Sequence, residues 1–371
     1  MAINNEQNKL NVPHLRFPEF HGEWEKCKVS DLLDFYSTNS LSWDQLEYGT
    51  DNMLNLHYGL IHVGLPAMVD LSKDILPAIK KENEPKNFEL CKEGDIAFAD
   101  ASEDTNEVAK AIEFYTLEDK AVVCGLHTIH GRDKSNKTVV GYKGYAFSST
   151  AFHHQIRRIA QGTKIYSISA KNFAECYIGI PSKEEQTKIA KLLRLIDERI
   201  ATQSKLIEDL KKLKSAIIDY AINSLDTDFA KFGSLYEIAG EGGTPTTSNA
   251  NFYDNGKIPF IKIDDLKKKY LTENKDFITE LGLQKSSAWL VPTRSILFSN
   301  GATIGEITIT TYPVCTKQGI LGIVPKPNID VEFLYYFMSS SYFKKTVSRI
   351  VTEGTMKTAY LKDINNILCP I

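Results

Sequence analysis

The longest regular alternation of apolar and polar residues in the chain covers residues 181–223. Its apolar positions recur at steps of three and four, which is the a/d seam of a heptad repeat on a helix. Some forty residues would form a helix roughly 60 Å long. The predicted seam, which Arg199 and Gln203 interrupt, contains Ile189, Leu192, Ile196, Ile200, Leu206, Leu210, Leu213, Ile217 and Tyr220.

The start of this helix is marked by local chemistry. Pro181 ends the preceding segment, and Ser182 with Glu185 has the S-x-x-E spacing of a capping box. An apolar stripe of this length requires a partner helix, because water does not solvate it well. A core helix of one globular domain is the alternative, but the length and the position between two similar halves favour a spacer.

Short β-like runs dominate both flanking segments, and residues 1–11 have the polar composition of a disordered terminus. In the first segment we predict strands at 60–63, 95–98, 121–123 and 177–180, with a helix near 149–159. In the second segment we predict strands at 258–263, 295–298, 306–310 and 319–324, with a helix at 331–348.

The two segments match in order, which indicates an internal duplication with a period near two hundred residues. Residues 29–32 match 232–235, residues 94–98 match 294–298, and the block from Gly162 matches the block from Gly354. Chance similarity of two α+β segments is the alternative, and the shared order of several blocks argues against it. The predicted fold is α+β, with a domain at 1–181, a coiled-coil-type spacer helix at 182–224 and a similar domain at 225–371.

Composition is that of an ordinary soluble protein with more than one domain: 371 residues, 42% hydrophobic and 25% charged. No run of eighteen apolar residues predicts a membrane span. The six cysteines are scattered without C-x-x-C spacing, which favours a reducing cytoplasm over a disulfide scaffold or a zinc site. A net charge of −3 is not the basic footprint of a nucleic-acid binder, although it conceals local basic clusters.

Signatures of catalysis are missing from the sequence. It has no phosphate-binding glycine loop, no dinucleotide fingerprint and no nucleophile elbow. It also has neither the Asn/Asp-Pro-Pro-aromatic loop nor the cofactor loop of an amino methyltransferase. Adjacent histidines such as His153 and His154 point in different directions on a helix, so they make poor joint metal ligands. We therefore predict no catalytic residue and no metal site.

Binding chemistry is better represented. Two similar domains on a rod suit a long ligand that is contacted at two places, and duplex DNA with half-sites a helical turn apart is the obvious candidate. Arg and Lys suit phosphates and guanine edges, and Asn and Gln suit adenine. The candidate DNA-binding residues are Arg132, Lys134, Asn136, Lys137 and Lys143 in the first domain, and Thr244, Thr246, Thr247, Asn249, Lys267, Lys268, Lys269, Asn300, Thr303 and Gln318 in the second.

With these blocks in place, the chain resembles a type I restriction–modification specificity subunit. The resemblance covers nearly the whole chain in the family's order. Residues 15–20 before Glu23-Trp24 resemble the family's opening, and Ile180-Pro181 leading into 184–190 resembles the junction into its conserved helix. Gly243-Thr244-Pro245, with 258–260 and Asp264-Asp265, resembles the start of a target recognition domain. Residues 299–305 with 318–320 resemble the middle of that domain.

The resemblance implies a non-catalytic, cytoplasmic DNA-binding subunit. Each of its two target recognition domains would bind half of a bipartite double-stranded site, and the helix would fix the gap and dock the methylation subunit. The family's methylation and restriction subunits would supply S-adenosylmethionine, Mg²⁺ and ATP chemistry.

Family members have a second conserved helix after the second recognition domain, and it would begin here at Pro370, where the chain is about to end. The expectation is that this helix is lost by truncation or supplied by another polypeptide. We therefore predict self-association through the spacer helix or a need for the methylation subunit. Two other readings are a non-catalytic, two-headed protein-interaction scaffold with a helical docking rod and a fragment of a fused restriction–methylation enzyme.

Overall fold

The computed structural model describes residues 13, 15–50, 52–301, 303–351 and 358–371. The chain divides into two compact units, Met1–Thr202 and Gln203–Ile371. The division falls inside one long helix, so the predicted domain bounds at 181 and 225 stay a prediction. Two expectations, disorder at 1–11 and the repeated block at Gly354–Lys357, lie outside the described residues.

The first unit is a mixed α/β body in which short strands outnumber helices. Its strands are β1 (Glu25–Lys28), β2 (Leu33–Tyr36), β3 (Leu46–Glu47), β4 (Leu54–Leu56), β5 (Met68–Asp70), β6 (Ala78–Ile79), β7 (Ile96–Ala99), β8 (Ala101–Ser102), β9 (Ala111–Thr116), β10 (Val122–Cys124), β11 (Thr128–Asp133), β12 (Tyr166–Ser167) and β13 (Tyr177–Ile180). Its helices are α1 (Val29–Leu32), α2 (Tyr58–His62), α3 (Lys143–Phe147), α4 (Thr150–Ile159) and α5 (Ala170–Ala174), followed by the long helix α6 (Lys183–Asn223).

The main sheet of this unit has the order β2-β11-β7-β9-β5, with β5 parallel to β9 and the other neighbours antiparallel. One face packs on α3, α4 and α5 through Phe98, Phe147, Phe152 and Phe173. The ring of Phe147 lies edge-on to Phe98 and Phe152, with centroids 5.0 and 4.8 Å apart. Such buried aromatic side chains supply most of the hydrophobic stabilisation, about 1.5–3 kcal/mol each.

The second unit is built from the same kinds of element. Its strands are β14 (Phe229–Lys231), β15 (Tyr236–Glu241), β16 (Ile258–Ile261), β17 (Tyr270–Leu271), β18 (Asp276–Ile278), β19 (Ile296–Ser299), β20 (Ile307–Thr310), β21 (Cys315–Thr316), β22 (Ile320–Pro325) and β23 (Leu368–Pro370). Its helices after α6 are α7 (Glu280–Gln284), α8 (Val331–Ser339), α9 (Ser341–Ile350) and α10 (Leu361–Ile364).

The topology of the second unit repeats that of the first, which confirms the duplication. Its main sheet has the order β15-β22-β19-β20-β17, with β17 parallel to β20, as β5 is to β9. In each unit the first and last strands pair antiparallel, β1 with β13 and β14 with β23. Single backbone hydrogen bonds recur as well: the Asp100 amide donates to His127 at 3.0 Å, and the Asn300 amide to Gly319 at 3.0 Å.

Most predicted strands are present within one or two residues, and the predicted α+β class is confirmed. Two segments were wrong. Residues 60–62 belong to α2, and Val63 directly follows it; the first turn of α2 is capped by the His57 ring, which accepts a hydrogen bond from the Gly59 amide at 3.1 Å. The helix predicted at 331–348 is two helices, because Ser340 ends α8 and its hydroxyl caps α9 by accepting from the Phe343 amide.

The start of α6 uses only half of the predicted capping box. The Ser182 hydroxyl accepts from the Glu185 amide at 3.3 Å, as expected. The Glu185 carboxylate, however, is buried and accepts from the Arg16 guanidinium at 2.7 and 2.7 Å and from the Trp24 indole at 3.2 Å. Glu185 therefore links the N-terminal segment to the helix, and its carboxylate does not bond to the backbone at the start of α6.

Most of α6 faces water. Its buried residues lie near the two ends: Glu185, Gln186, Ala190 and Ile218. The seam residues from Leu192 to Tyr220 are 45–76% exposed in the described structure, as the heptad pattern predicts for an uncovered stripe. Ile189 is an exception, because it packs against the aromatic core of the first unit. No helix among the described residues is long and apolar enough to cross a membrane.

Candidate nucleic-acid interface

The seven basic residues predicted to contact DNA all have carboxylate partners. The pairs are Arg132–Asp95, Lys134–Asp34, Lys137–Glu25, Lys143–Glu113, Lys267–Asp264, Lys268–Glu273 and Lys269–Glu332. Four lysines, Lys134, Lys137, Lys267 and Lys268, lie at the surface, where solvent screening leaves such a pair little net stabilisation. These four can exchange their partners for phosphates at small cost.

Arg132 links β11 to the segment before β7 within the first unit. Its guanidinium donates to both oxygens of Asp95 at 2.8 and 2.8 Å and to Glu89 at 2.7 Å, and it lies 4.5 Å from the ring centre of Tyr36. The hydrogen bonds to Asp95 raise the pKa of Arg132 above its usual value. Because Asp95 is 1% exposed, removing its partner would leave a buried charge. Arg132 therefore has a structural role, and its contact with DNA stays a prediction.

Lys143 is also part of the core. Its side chain is 2% exposed, and its ammonium lies 2.8 Å from the fully buried carboxylate of Glu113. That carboxylate also accepts from the Gly144 amide at 2.9 Å. Burial raises the pKa of Glu113 despite the opposing effect of Lys143. The structure thus gives Lys143 a place in the core, and a contact of this residue with DNA stays an untested prediction.

Lys269 is held by an acidic and aromatic cluster in the second unit. Its ammonium donates to Glu332 at 2.7 Å and to the Tyr336 hydroxyl at 3.0 Å, and it lies 4.9 Å from the ring centre of Tyr270. Burial alone would lower the pKa of Lys269, but these hydrogen bonds outweigh it and raise the pKa. The residue therefore joins the start of β17 to α8.

Strand register gathers most of the remaining second-unit candidates at one edge of the main sheet. The end of β15 lies beside the start of β22, which lies beside the end of β19. We call this the loop edge: the edge where β15 and β19 end and β22 begins, and in the first unit the edge where β2 and β7 end and β11 begins. Four predicted residues lie there: Thr244, Asn300, Thr303 and Gln318.

The loops at this edge are bonded to one another. The backbone amide of Gln318 donates to the Thr244 hydroxyl at 3.3 Å, and the backbone amide of Gly319 donates to the Glu241 carboxylate at 2.9 Å. Asn300 is buried, and its amide group donates to the Ala359 carbonyl at 3.4 Å, so it shapes the edge without presenting its side chain. Four candidates on these loops are exposed, Thr246, Thr247, Thr303 and Gln318, while Asn249 caps a short turn through the Asn251 amide.

The glycines before Thr244 are required by close approach of the chain. A Cβ at Gly242 would lie 2.2 Å from the Thr316 carbonyl oxygen, and one at Gly243 would lie 2.3 Å from the Ser287 hydroxyl. The neighbouring chain would have to move by about 1 Å to make room for a side chain at either glycine. The two glycines thus let the chain before Thr244 pass close to β21 and to the Ser287–Ala288 backbone.

The first-unit candidates lie at the opposite edge. Arg132 pairs with Asp34 at the start of β2, and the loop after β11 carries Lys134, Asn136 and Lys137. This loop anchors α6. The Gln186 amide group donates to the Lys137 carbonyl at 2.9 Å, and Lys183 donates to the Asn136 side chain at 3.3 Å.

The loop edge of the first unit carries polar residues that sequence reasoning missed. Asn39 follows β2, Asp100 follows β7, Lys110 precedes β9 and His127 precedes β11. The His127 ring lies 3.1 Å from the Asp100 carboxylate. The signal was available, because the match of 94–98 with 294–298 aligns Asp100 with Asn300.

Two copies of one α+β unit, joined by a single long helix, define a duplicated recognition protein. The family described as "Type I restriction modification DNA specificity domain" matches residues 69–212 and 225–371, one match for each copy. The chain belongs to this family.

Known members are similar over varying lengths. The putative type I restriction enzyme MjaX specificity subunit of Methanocaldococcus jannaschii is 23% identical over 97% of this chain and 86% of its own length. The MjaIX specificity subunit of the same organism is 24% identical over 61% of this chain and 57% of its own length. The HindI specificity subunit of Haemophilus influenzae is 33% identical over 31% of this chain and 25% of its own length. The chain thus spans little more than half, or less, of these last two relatives.

Solved structures share the fold. The S subunit of a type I restriction–modification system from M. genitalium superposes with a TM-score of 0.54 at 18% identity, over 97% of this chain and 87% of that one. A chain from work on complex assembly and conformational transition of the type I R-M system gives a TM-score of 0.56 at 14% identity, over 97% and 87%. At these identities the likeness concerns the fold alone.

The buried Lys143–Glu113 pair yields a stability prediction. Lys143→Met removes the ammonium and leaves the Glu113 carboxylate buried, so we expect a loss of about 3–5 kcal/mol in the free energy of unfolding at pH 8. In the variant, the pKa of Glu113 in the folded state rises further above its unfolded value of about 4.3. Stability contributed by a raised pKa is present below the unfolded pKa and lost as the pH rises. The loss relative to the unaltered chain should therefore shrink at pH 5.

Urea-induced unfolding of both proteins at pH 5 and pH 8 checks this expectation. The double variant Lys143→Met/Glu113→Gln is the control, because it removes both charges and keeps an acceptor for the Gly144 amide. It should recover most of the stability at pH 8. An equal loss at both pH values would contradict the assignment.

Proposed function

We propose that this chain is the DNA-reading specificity subunit of a type I restriction–modification complex. Each unit contacts one half of a bipartite site in double-stranded DNA. The observation that carries the proposal is the recurrence of one sheet, with the same loop edge, in two copies that both match the family. A repeated recognition surface suits a ligand that presents two separate half-sites.

The loop edges are the surfaces that we assign to DNA. They carry exposed threonines, Gln318, Lys110 and His127, which offer donors and acceptors to base edges and phosphates. At the opposite edge of the first unit, Gln186 and Lys183 already occupy the loop after β11. That engagement leaves the loop edge as the freer of the two surfaces.

The chain acts through other polypeptides and carries no catalytic group of its own. A methylation subunit binds S-adenosylmethionine and methylates adenine, and a restriction subunit uses ATP and Mg²⁺ for translocation and cleavage. The assembly works in the cytoplasm. The exposed seam of α6 supports docking of the methylation subunit or of a second chain, because so long an apolar stripe is stabilised by a covering helix.

The decisive experiment reconstitutes the chain with a methylation subunit and maps the methylated adenines in a random DNA library. The proposal predicts one split motif with a fixed gap, in which each half changes when the corresponding unit is exchanged. A library without any enriched motif, combined with stable binding of the methylation subunit, would instead favour a protein-interaction scaffold.

A matched pair of lysines tests which edge of the first unit meets DNA. Lys110 at the loop edge donates to the His62 carbonyl at 3.1 Å and pairs with Glu107 at 2.9 Å. Lys134 at the opposite edge donates to the Ser30 carbonyl at 2.7 Å and pairs with Asp34 at 3.2 Å. Their side chains are 35% and 40% exposed, so the two sites are closely comparable.

Lys110→Ala should weaken DNA binding and lower the slope of log affinity against log salt concentration by about 1, because one phosphate contact is lost. Lys134→Ala should leave both quantities unchanged. Titrations of labelled target DNA at several salt concentrations measure them. The reverse result would return the interface to Lys134 and Lys137, where the sequence pattern first located it.

The seam gives a second prediction. Changing Leu206, Leu210 and Leu213 to Ser removes three apolar side chains that are 49–55% exposed. We expect the variant to lose self-association, or binding to the methylation subunit, because the covering helix loses its hydrophobic contacts. Sedimentation velocity at micromolar concentration, with and without that subunit, measures the loss.

The control for the seam variant changes Glu208 and Lys211 to Ser. Both residues are exposed on the other side of α6, and the double change leaves the net charge unaltered. This control should assemble as the unaltered chain does. If the leucine variant assembles equally well, the seam is not the docking surface.

A further inference from the structure

Three metal-binding side chains meet in the core of the first unit. Cys91 precedes β7, Cys124 ends β10 and His130 lies in β11. Their ligand atoms all lie within 4.8 Å of one another, and the three side chains are buried. The chain positions them firmly, since the Cys91 amide donates to the Val122 carbonyl at 2.8 Å and Cys124 pairs with Leu56 of β4.

His130 is oriented as a metal-bound histidine would be. Its Nε2 lies 2.8 Å from the buried carboxylate of Asp95, which also accepts two hydrogen bonds from Arg132. Because the Asp95 carboxylate accepts this bond, the proton of His130 lies on Nε2 and the lone pair on Nδ1.

Nδ1 of His130 lacks a hydrogen-bond donor among the described residues, and it is buried. A buried acceptor without a donor costs free energy, so a native protein normally satisfies it. A metal ion beside two cysteines would do so, and the Asp95–His130 contact is the second-shell arrangement that accompanies such ligation.

The sulfur spacing agrees with this chemistry. The two Sγ atoms are 3.6 Å apart, far wider than the roughly 2.05 Å of a disulfide bond. Two thiolates on a tetrahedral zinc ion, with Zn–S bonds of about 2.3 Å, are about 3.8 Å apart. The thiols are therefore spaced for one shared ion without a change in the backbone.

The second unit shows what the same fold contains without these ligands. The Val291 amide donates to Val314 as the Cys91 amide does to Val122, so Val291 corresponds to Cys91. Counting along the paired strands, Thr316 corresponds to Cys124 and Gly322 to His130. The fold thus tolerates Val, Thr and Gly at these places. The first copy alone combines two thiols with an oriented imidazole.

We propose that Cys91, Cys124 and His130 bind a thiophilic divalent metal ion, Zn²⁺, in the core of the first unit. Binding releases the two thiol protons to solvent, and the two thiolates neutralise the charge of the ion, so the site is electrically neutral and suits its apolar surroundings. Water completes the coordination. The ion joins the loop before β7 to β10 and β11, and it acts on stability without touching DNA.

The test measures the metal content of the purified full chain by mass spectrometry of the elements. The unaltered chain should hold about one zinc ion per chain. The variant Cys91→Val/Cys124→Thr, which adopts the second unit's own residues, should hold none. Cys315→Ala removes an equally buried thiol elsewhere and should keep the ion.

Two further measurements separate loss of metal from loss of fold. Cobalt added to metal-free protein should produce the thiolate-to-cobalt absorption in the unaltered chain and not in the double variant. A strong chelator should lower the unfolding temperature of the unaltered chain only. The proposal fails if zinc-supplemented protein holds no metal, if the double variant retains it, or if Cys91 and Cys124 are found joined as a disulfide.

Discussion

The pairing of first and last strands is the constraint on which both units depend. In the first unit Cys27 pairs with Ile178, and in the second Ala230 pairs with Cys369. Because entry and exit of each copy are hydrogen-bonded neighbours, the chain leaves a unit where it entered it. A single helix can therefore follow the first copy directly, and the second copy can begin where that helix ends. The buried Glu185 then fixes the helix to the segment that opens the chain.

Within that frame the two copies keep the backbone and vary the side chains. The Asp100–His127 and Asn300–Gly319 bonds are the same bond in two places. Yet Glu113, which pairs with Lys143, corresponds in register to Ile309 of the second copy, where no such buried ion pair is found among the described residues. Divergence of this kind lets one copy acquire a polar network, or a metal site, while the sheet and its loop edge remain.

The sequence revealed the parts of this structure that depend on local periodicity. The heptad steps located α6 almost to the residue, and β-branched runs located most central strands. The cap supplied by the His57 ring was not recognised, since histidine is an unusual capping residue. Arg132 and Lys143 looked like surface cations because their partners, Asp95 and Glu113, lie on other strands, and only strand register brings them together. The cluster of Cys91, Cys124 and His130 was hidden for the same reason.

The exposed seam of α6 and its proposed role as a spacer are linked, because both depend on how the apolar face of the helix is packed. A long helix owes most of its stability to packing of its apolar face, and the middle of α6 has little such packing in the described structure. Its ends are held, at Gln186 by three side-chain hydrogen bonds to the backbone of Lys137, Val139 and Pro181, and at Asp219 by Ser341. A partner that covers the seam would therefore also stiffen the rod between these ends. Under the proposed function, docking of the methylation subunit and definition of the gap between half-sites would both follow from the same burial of leucine and isoleucine side chains.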